Sequence, residues 1–481
     1  MSGAIDMVIT VLKIVLLVYF VVLTTVSSAL TLIGWRGVND YVRRRPLRAY
    51  EDVATSELSM PVSIIVPAHN EQETIVESVR ALLGSQFSQF EIIVVNDGST
   101  DETVQRLVTG LDMVAMARVP SEKLTSQPVR GTYRSRDDQR VVLIDKARGG
   151  KADALNAGVN YARCPLVCSI DADTLLDPWA LARLVWEFQS DPDTVAVGGI
   201  VRVVNGSIFK GGRLETVRTP RSLLANLQVL EYLRAFLGAR IGWSRIGTML
   251  IISGAFGLFR RAVVVSAGGY DTNCVGEDAE LVLRLHRVRA DAGLPCRITF
   301  FPDPICWTEV PENIRVLTSQ RDRWQRGLAQ MLWRHRRMFA NPKYGKIGLL
   351  AVPYFWIFEL FGPVVEVGGY IYVVLGLIFG FVWIPFAIAL LLMSTALGVL
   401  LSMMVIFMEE RAFARYPNWR DLAKLCGIAV LENCGYRQYL AFVRLKAFYT
   451  LGRRAGWGTM RHKGFHDESE RRPAVSPELP T

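Results

Sequence analysis

Leu166-Val-Cys-Ser-Ile-Asp-Ala-Asp173-Thr174 is the stretch on which the reading of the fold turns. Five mostly apolar residues predict a buried strand, and two carboxylates, Asp171 and Asp173, follow it two positions apart and so project to one side. Such a pair can hold a hard divalent cation against a diphosphate, because Mg²⁺ takes one or two carboxylates and leaves the rest of its shell to substrate oxygens. Taken alone, the same triplet also reads as a helix cap or a solvated turn. Its neighbours decide between these.

Upstream, Val62-Ser-Ile-Ile-Val66, ended by Pro67, predicts a strand, with Ala68-His-Asn-Glu71 as a loop and helical spacing from Thr74 to Leu83. Glu91-Ile-Ile-Val-Val95 predicts a second strand running into Asn96-Asp-Gly-Ser-Thr-Asp101, where Gly98 permits a tight turn and Ser99 or Thr100 can cap a helix. Val141–Ile144 predicts a third, and Gly149-Gly-Lys151 opens a helix from Ala152 to Tyr161. Between them, Pro120 to Gln139 reads as a charged surface excursion. Asp177-Pro178 supplies the cap and first turn of the helix after the opening strand. Alternation of this kind predicts βαβ units and a parallel sheet, whose ligands bind beyond the carboxyl ends of the strands. Asn70, Asp97, Lys151 and Asp173 fall there. Singly, Asp97 is also a turn former and Lys151 a solvated helix start; jointly the four predict a nucleotide-diphosphate pocket.

Val66-Pro67-Ala-His-Asn-Glu71, Val95–Asp101, Gly150-Lys-Ala-Asp-Ala-Leu-Asn156 and Asp171-Ala-Asp173 together resemble the donor half of inverting family 2 glycosyltransferases. The likeness is greatest to the membrane-integrated processive group that makes poly-N-acetylglucosamine, chitin oligosaccharides, hyaluronan and cellulose. The resemblance implies an α/β GT-A type fold, a Rossmann-like mixed sheet embedded between transmembrane α-helices. It also implies a UDP-sugar donor and a divalent cation, Mg²⁺ or Mn²⁺. Asp97 is expected near the uracil, Lys151 near the phosphates and Asp173 as chief metal ligand beside Asp171, with Pro67, Asn70, Glu71 and Asn156 lining the donor site.

The second half should supply a base and an acceptor site. Ile251-Ile-Ser-Gly-Ala-Phe-Gly257 reads as a strand ending in a glycine turn and is similar to the family's acceptor-facing segment, with Gly254 at the acceptor. Gly268-Gly-Tyr-Asp271 leads to Val275-Gly-Glu-Asp278 and a helix from Ala279 to Arg289. Carboxylates at a helix start are also ordinary dipole partners. An inverting transfer, however, needs a carboxylate to take the acceptor hydroxyl proton, and the resemblance places that role on Asp278 with Glu277 beside it. Ser319-Gln-Arg-Asp-Arg-Trp324 resembles the Gln-x-x-Arg-Trp signature of processive members, and on a helix Gln320, Arg323 and Trp324 share one face. Gln320 and Arg323 would serve the diphosphate and Trp324 a sugar ring; the arginines around them equally fit a membrane-surface helix, and the two readings are compatible. Trp457, Gly458 and Thr459 resemble a gating loop of hyaluronan and chitin synthases, with an ordinary basic tail as the alternative.

Composition places this chemistry at a membrane. The 481 residues are 51% hydrophobic. From Ile5 to Trp35 only Asp6 and Lys13 carry charge, enough for one span, and from Ile347 to Met408 only Glu359 and Glu366 do, enough for two or three. Parity favours two, because Lys343 and Lys346 before the block and Arg411 and Arg415 after it read as cytoplasmic. Glu359 and Glu366, at membrane depth, are expected to face protein or a channel. Leu227–Gly238 and Ile241–Ile252 are apolar enough to lie along the membrane face, and Leu422–Leu451 reads as an interfacial segment or a polar-lined hairpin. The net charge of +10 is concentrated after the first span, at Arg36, Arg43, Arg44, Arg45 and Arg48, which argues for a membrane and against nucleic acid. Seven cysteines without a Cys-x-x-Cys pair predict free thiols.

The expected organisation is an N-terminal transmembrane helix (1–36), a basic linker (37–60), a cytoplasmic GT-A domain with interfacial helices (61–340), C-terminal transmembrane and interfacial helices (341–452) and a cytoplasmic tail (453–481). This places the protein in a bacterial-type inner membrane, N-terminus outside and C-terminus cytoplasmic, building a β-linked glycan from UDP-N-acetylglucosamine, processively, with auxiliary export subunits as partners. The alternatives are transfer of a single sugar to a lipid carrier and an inactive membrane scaffold.

Overall fold

The computed structural model describes residues 2–45, 50–122, 124–210, 213–416 and 418–452. Among the described residues twelve strands follow one another: β1 (Val62–Ala68), β2 (Phe90–Asp97), β3 (Met113–Ala115), β4 (Val129–Ser135), β5 (Val141–Lys146), β6 (Leu166–Ile170), β7 (Leu175–Leu176), β8 (Thr194–Val203), β9 (Ile208–Lys210), β10 (Arg213–Thr216), β11 (Phe256–Arg260) and β12 (Arg297–Thr308). Ten form one mixed sheet in the order β3-β4-β5-β2-β1-β6-β11-β8-β12-β7. The four strands expected from the sequence, β5, β2, β1 and β6, are adjacent and parallel. Every residue of β1 and β6 is buried, which their continuous apolar runs require of a sheet covered on both faces. β11 then joins β6 antiparallel, so the sheet is mixed.

Two expectations are corrected. The charged excursion from Pro120 to Gln139 contains β4, which pairs antiparallel with β5. Its Thr132, Tyr133 and Arg134 are half-buried, because a strand near the sheet edge needs no apolar run, and without one its sequence looks like loop. The strand expected at Ile251–Gly257 is instead β11, beginning at Phe256, so Gly254 lies in the loop that precedes the strand.

Among the described residues three helices are long and apolar enough to cross a membrane: Met7–Arg44, Gly362–Phe379 and Ala387–Ala412. Lys13 Nζ donates to the Phe381 carbonyl at 3.3 Å at one end of this group, and Trp35 stacks on Phe407 at 5.4 Å between centroids at the other. The first and third helices therefore run parallel, with the second antiparallel to both. Ile347–Leu360, the remaining apolar segment, is shorter and contains π-helical turns.

The N-terminal helix Ser2–Arg44 continues past its apolar part and docks on a bent helical stretch, Leu223–Arg245, with a π-helical segment at Arg234–Arg240. A Cβ on Gly34 would lie 2.7 Å from the Gly238 carbonyl oxygen, and one on Gly242 would lie 2.5 Å from that of Leu30. Close backbone approach of this kind is what glycine permits between helices in or near a membrane. Leu227, Leu230, Leu233, Phe236 and Leu237, expected along the membrane face, are consequently buried within protein.

Leu422–Leu451 resolves into the Trp419–Leu431 helix, packed on the third membrane helix, and a second helix, Tyr436–Lys446. It is bound to the Ile314–Arg334 helix by polar ties: Thr318 to Tyr439 at 2.5 Å, Arg444 Nε to Gln325 Oε1 at 2.8 Å and Thr450 to Asp322 at 2.9 Å. Glu359 is held by Arg444, so it faces protein as expected.

The Ile314–Arg334 helix crosses the start of the Glu277–Asp291 helix through two glycines. A Cβ on Gly327 would sit 2.8 Å from the backbone N of Gly276 and 2.9 Å from its Cα. Neither is a flexible side-chain end, so Gly327→Ala forces the helices apart. It is expected to destabilise the protein by about 1–3 kcal/mol, a typical overpacking cost, and to lower the midpoint of thermal inactivation in detergent. Gly427→Ala, with no atom within 4 Å of the added methyl, should leave that midpoint in place.

Candidate active site

The carboxyl ends of β2, β5 and β6 meet at one edge of the sheet. β2 ends in Asp97, whose carboxylate is fully buried and saturated: it accepts from Lys146 Nζ at 2.5 Å, from Gly149 N–H at 2.9 Å and from Gly150 N–H at 2.7 Å. Lys146 in turn meets Asp153 Oδ1 at 2.5 Å. A buried lysine between two carboxylates thus pins the Gly149-Gly150 turn. Gly150 has φ +94°, a conformation that costs glycine little, and the turn aims the next residue, Lys151, at the site.

Lys151 Nζ lies 2.5 Å from Asp171 Oδ1, 3.8 Å from Glu277 Oε1 and 3.2 Å from the Gly254 carbonyl oxygen. Burial works against its charge, but Asp171, then Glu277 and Asp278, outweigh burial and hold the ammonium above its usual range. The opposite holds for Glu277. Burial raises its carboxyl to about 7, Lys151 pulls it back, and Asp278 and Asp171 add to the rise. Asp278, in the first turn of the same helix, accepts from the backbone N–H of Ala279 at 2.8 Å. A Cβ on Gly254 would lie 3.0 Å from Asp278 Oδ2 and 3.3 Å from Lys151 Nζ. The donor-side lysine and the expected base are therefore neighbours across Gly254.

Other expected site residues fall into two groups. Asn70, with φ +59°, staples two loops: its N–H donates to Ser99 Oγ at 3.0 Å and its Oδ1 accepts from Thr100 N–H at 2.8 Å. Glu71 lies beside it, its N–H donating to Thr103 Oγ1 at 2.9 Å. Pro67 is buried within β1. Asn156 is the clearest departure from a donor-contacting role. It is buried, its Nδ2 donates to the Tyr270 carbonyl at 2.9 Å and its Oδ1 accepts from Tyr270 N–H at 2.6 Å. Asn156 positions the turn before the Glu277 helix, an assignment that needs knowledge of a partner 114 residues away.

On the Ile314–Arg334 helix, Gln320 accepts from Arg321 at 3.1 Å. Arg323 is kept below the ordinary arginine value by burial first and by Arg326 second, with Glu277 opposing. Trp324 is 49% exposed, and the Arg321 guanidinium sits 4.1 Å over its ring. Glu231 holds Arg321 at 2.8 Å and Tyr436 at 3.0 Å, so a stacked cation and an acid fix the indole. Trp457, Gly458 and Thr459 lie outside the described residues.

Arg240 and Tyr232 were not singled out by the sequence, where they sit in an apolar run. Burial lowers Arg240 to about 10, with Asp278 opposing, and Tyr232 feels Arg321, Glu231, Arg240 and Asp173. Both therefore belong to the same charged centre. Among the described residues no group of three or more His, Cys, Asp or Glu assembles into a metal cage. Asp171 and Asp173 can supply two carboxylates, which suits a hard cation that shares its shell with diphosphate oxygens.

Gly254→Ala displaces Lys151 and Asp278 together and is expected to lower turnover about 100-fold, the usual cost of ångström-scale misplacement, with the fold retained by circular dichroism. In the donor-free protein, the raised Glu277 value means that the folded state binds the proton more tightly than the unfolded chain. That contribution to stability is fully present below the ordinary glutamate value and is lost as pH rises through about 7. Glu277→Gln should flatten the decline of the thermal midpoint over this window.

The family model described as "Glycosyltransferase like family 2" matches residues 60–327. The chain is 29% identical over 292 residues to a poly-beta-1,6-N-acetyl-D-glucosamine synthase of Staphylococcus aureus, covering 60% of each chain. It is 28% identical over 273 residues to one of Staphylococcus epidermidis, covering 57% of this chain and 56% of that one. The chain thus spans about 60% of the length of these curated relatives. Among solved structures, a mannosyltransferase from Pyrobaculum calidifontis in complex with GDP-Man and Mn²⁺ matches at a TM-score of 0.50 and 19% identity, covering 86% of this chain and 99% of that one, a likeness of fold. With more than half of its length matched from β1 to the glycine crossing at Gly327, the chain belongs to glycosyltransferase family 2 and carries its GT-A fold.

Proposed function

We propose that the chain transfers sugar from a UDP-sugar, UDP-N-acetylglucosamine in the first instance, with inversion, building a β-linked polysaccharide at the inner membrane processively and in step with export. The observation that carries this reading is the meeting of two halves at Gly254. Lys151 and Asp171 stand on the donor side, and Asp278 with Glu277 stands on the other. Resemblance to the staphylococcal synthases supports the choice of sugar.

In this mechanism Asp278 accepts the acceptor hydroxyl proton as that oxygen bonds to the anomeric carbon. The bond from that carbon to the diphosphate oxygen breaks on the opposite face, and the electron pair leaves with UDP. Lys151 and Arg323 offset the charge on the departing diphosphate. A divalent cation held by Asp173 and Asp171 would supply further neutralisation there. The Mn²⁺ and GDP-Man in the archaeal fold relative's complex are consistent with such a site. Trp324, fixed by Arg321, offers a half-open indole to the acceptor sugar.

The membrane reading rests on the helix directions. Parallel first and third helices put Arg43 and Arg411 at one end and Lys13 and Trp383 at the other, which, with the positive-inside rule, supports a catalytic domain in the cytoplasm and an N-terminus outside. At membrane depth Arg234 pairs with the buried Glu432, which also accepts from Ser402 of the third membrane helix at 3.1 Å. Such intramembrane charges are costly unless they serve a pathway, here that of the glycan, with auxiliary subunits beyond the membrane.

Purified protein incubated with labelled UDP-sugars and Mg²⁺ or Mn²⁺ should release UDP fastest from UDP-N-acetylglucosamine and make long products; single-sugar adducts alone would overturn processivity. Asp278→Asn should lower turnover by about 10²–10⁴-fold and leave calorimetric UDP binding nearly intact. Asp173→Asn should weaken UDP binding only when the cation is present. Trp324→Ala should shorten the products more than it slows UDP release.

A further inference from the structure

A cleft lies between the first and third membrane helices, lined by Trp35, Val38, Val42, Arg43, Met408 and Arg411, among others. Its floor is apolar and its rim carries two guanidinium groups. Four arginines near this level have carboxylate partners: Arg45 with Asp303, Arg245 with Asp40, Arg415 with Asp177, and Arg202 with Glu409 in a buried pair. Arg43 and Arg411 are exposed, and among the described residues neither has an ion-pair partner.

The cleft also sits at a defined depth. Between Lys13 and Trp35 the first helix is about 33 Å long, close to the hydrocarbon thickness of a bilayer. The stacked Trp35 and Phe407 therefore mark the cytoplasmic boundary, where aromatic rings sit at headgroup level. Side chains on a helix lean toward its N-terminus, and both helices end on this side. Arg43 and Arg411 thus lean back toward the membrane surface, at the height of lipid phosphates.

We propose that this cleft binds one anionic phospholipid, its phosphate between Arg43 and Arg411, its glycerol over Val38 and Met408 and its acyl chains entering the bilayer past Trp35. The proposal rests on the membrane placement above and not on the sugar transferred. A phospholipid fits better than a free anion because the charged rim continues into an apolar floor, and basic pockets between helices on the cytoplasmic side are suited to acidic headgroups. Bound there, the lipid would brace the pair of helices that carries the Arg202–Glu409 link to β8.

The full chain, reconstituted in nanodiscs and then released into detergent, is titrated with phosphatidylglycerol or with phosphatidylcholine of the same acyl chains, and bound lipid is counted by native mass spectrometry. Failure to enter nanodiscs would overturn the membrane placement itself. The expected result is one tightly held phosphatidylglycerol. It should be retained by Arg130→Gln/Arg136→Gln, which removes equal charge from the soluble domain, and weakened about 30-fold in Arg43→Gln/Arg411→Gln. Arg43→Lys/Arg411→Lys, which keeps the charge, should recover most of the binding and shows that the positions tolerate change. Equal binding of phosphatidylcholine, or unchanged binding in the double glutamine variant, would overturn the proposal. Displacement by millimolar inorganic phosphate would reassign the cleft to a free anion.

Discussion

The buried Lys146 bridge, between Asp97 on β2 and Asp153 on the helix after the glycine turn, is the constraint on which the site depends. Isolated, any of these charges would be strongly disfavoured in a sheet interior. Together with the N–H groups of Gly149 and Gly150, which complete the shell of Asp97, they are satisfied. Removing one member of such a network leaves the others uncompensated, which is far costlier than the net worth of the pair. The bridge fixes where the turn ends, and the turn fixes where Lys151 points.

A second set of constraints joins this centre to the membrane helices. The glycine crossing at Gly276 and Gly327 sets the Ile314–Arg334 helix against the residues that carry Glu277 and Asp278. The same helix is tied on its other side to the Tyr436–Lys446 helix and Thr450 through Thr318, Asp322 and Gln325. Trp324 is thus held between the start of the Glu277–Asp291 helix and the Tyr436–Lys446 helix, with Arg321 and Glu231 setting the position of its ring.

How much of this was legible in the sequence depended on how local the cause was. The parallel strands β5, β2, β1 and β6 could be read because strands buried on both faces need continuous apolar runs, and the Asp-x-Asp, Glu-Asp and Gln-x-x-Arg-Trp groups because each lies within one turn. β4 escaped because a strand next to the sheet edge tolerates polar residues. Asn156 and Asp97 were expected at the donor site; the structure adds partners that the sequence did not show, Tyr270 114 residues from Asn156, and Lys146 with the Gly149 N–H about 50 residues from Asp97. Arg240 was hidden in an apolar run that pointed to lipid, whereas burial of that run against Gly34 and Leu30 turns it toward Asp278. Such placements follow from which helix lies over which strand, and a linear pattern does not carry that information.

The contact between Lys151 and Asp171 then has a consequence for how the two halves work together. At 2.5 Å the ammonium neutralises a carboxylate that a cation would also require. On the proposed reading, a diphosphate would attract the lysine and a cation alike, so the pair would have to open as the donor binds. Lys151 loses little in leaving Asp171, because the Gly254 carbonyl at 3.2 Å and Glu277 at 3.8 Å already hold it from the acceptor side. Glu277 loses the proton it holds near neutrality more readily as the lysine draws closer. Opposite charge nearby favours the ionised carboxyl, and the extra negative charge settles next to Asp278. Donor binding and the electrostatics around the base are in this way joined through one side chain, whose aim was set by a buried lysine five residues earlier.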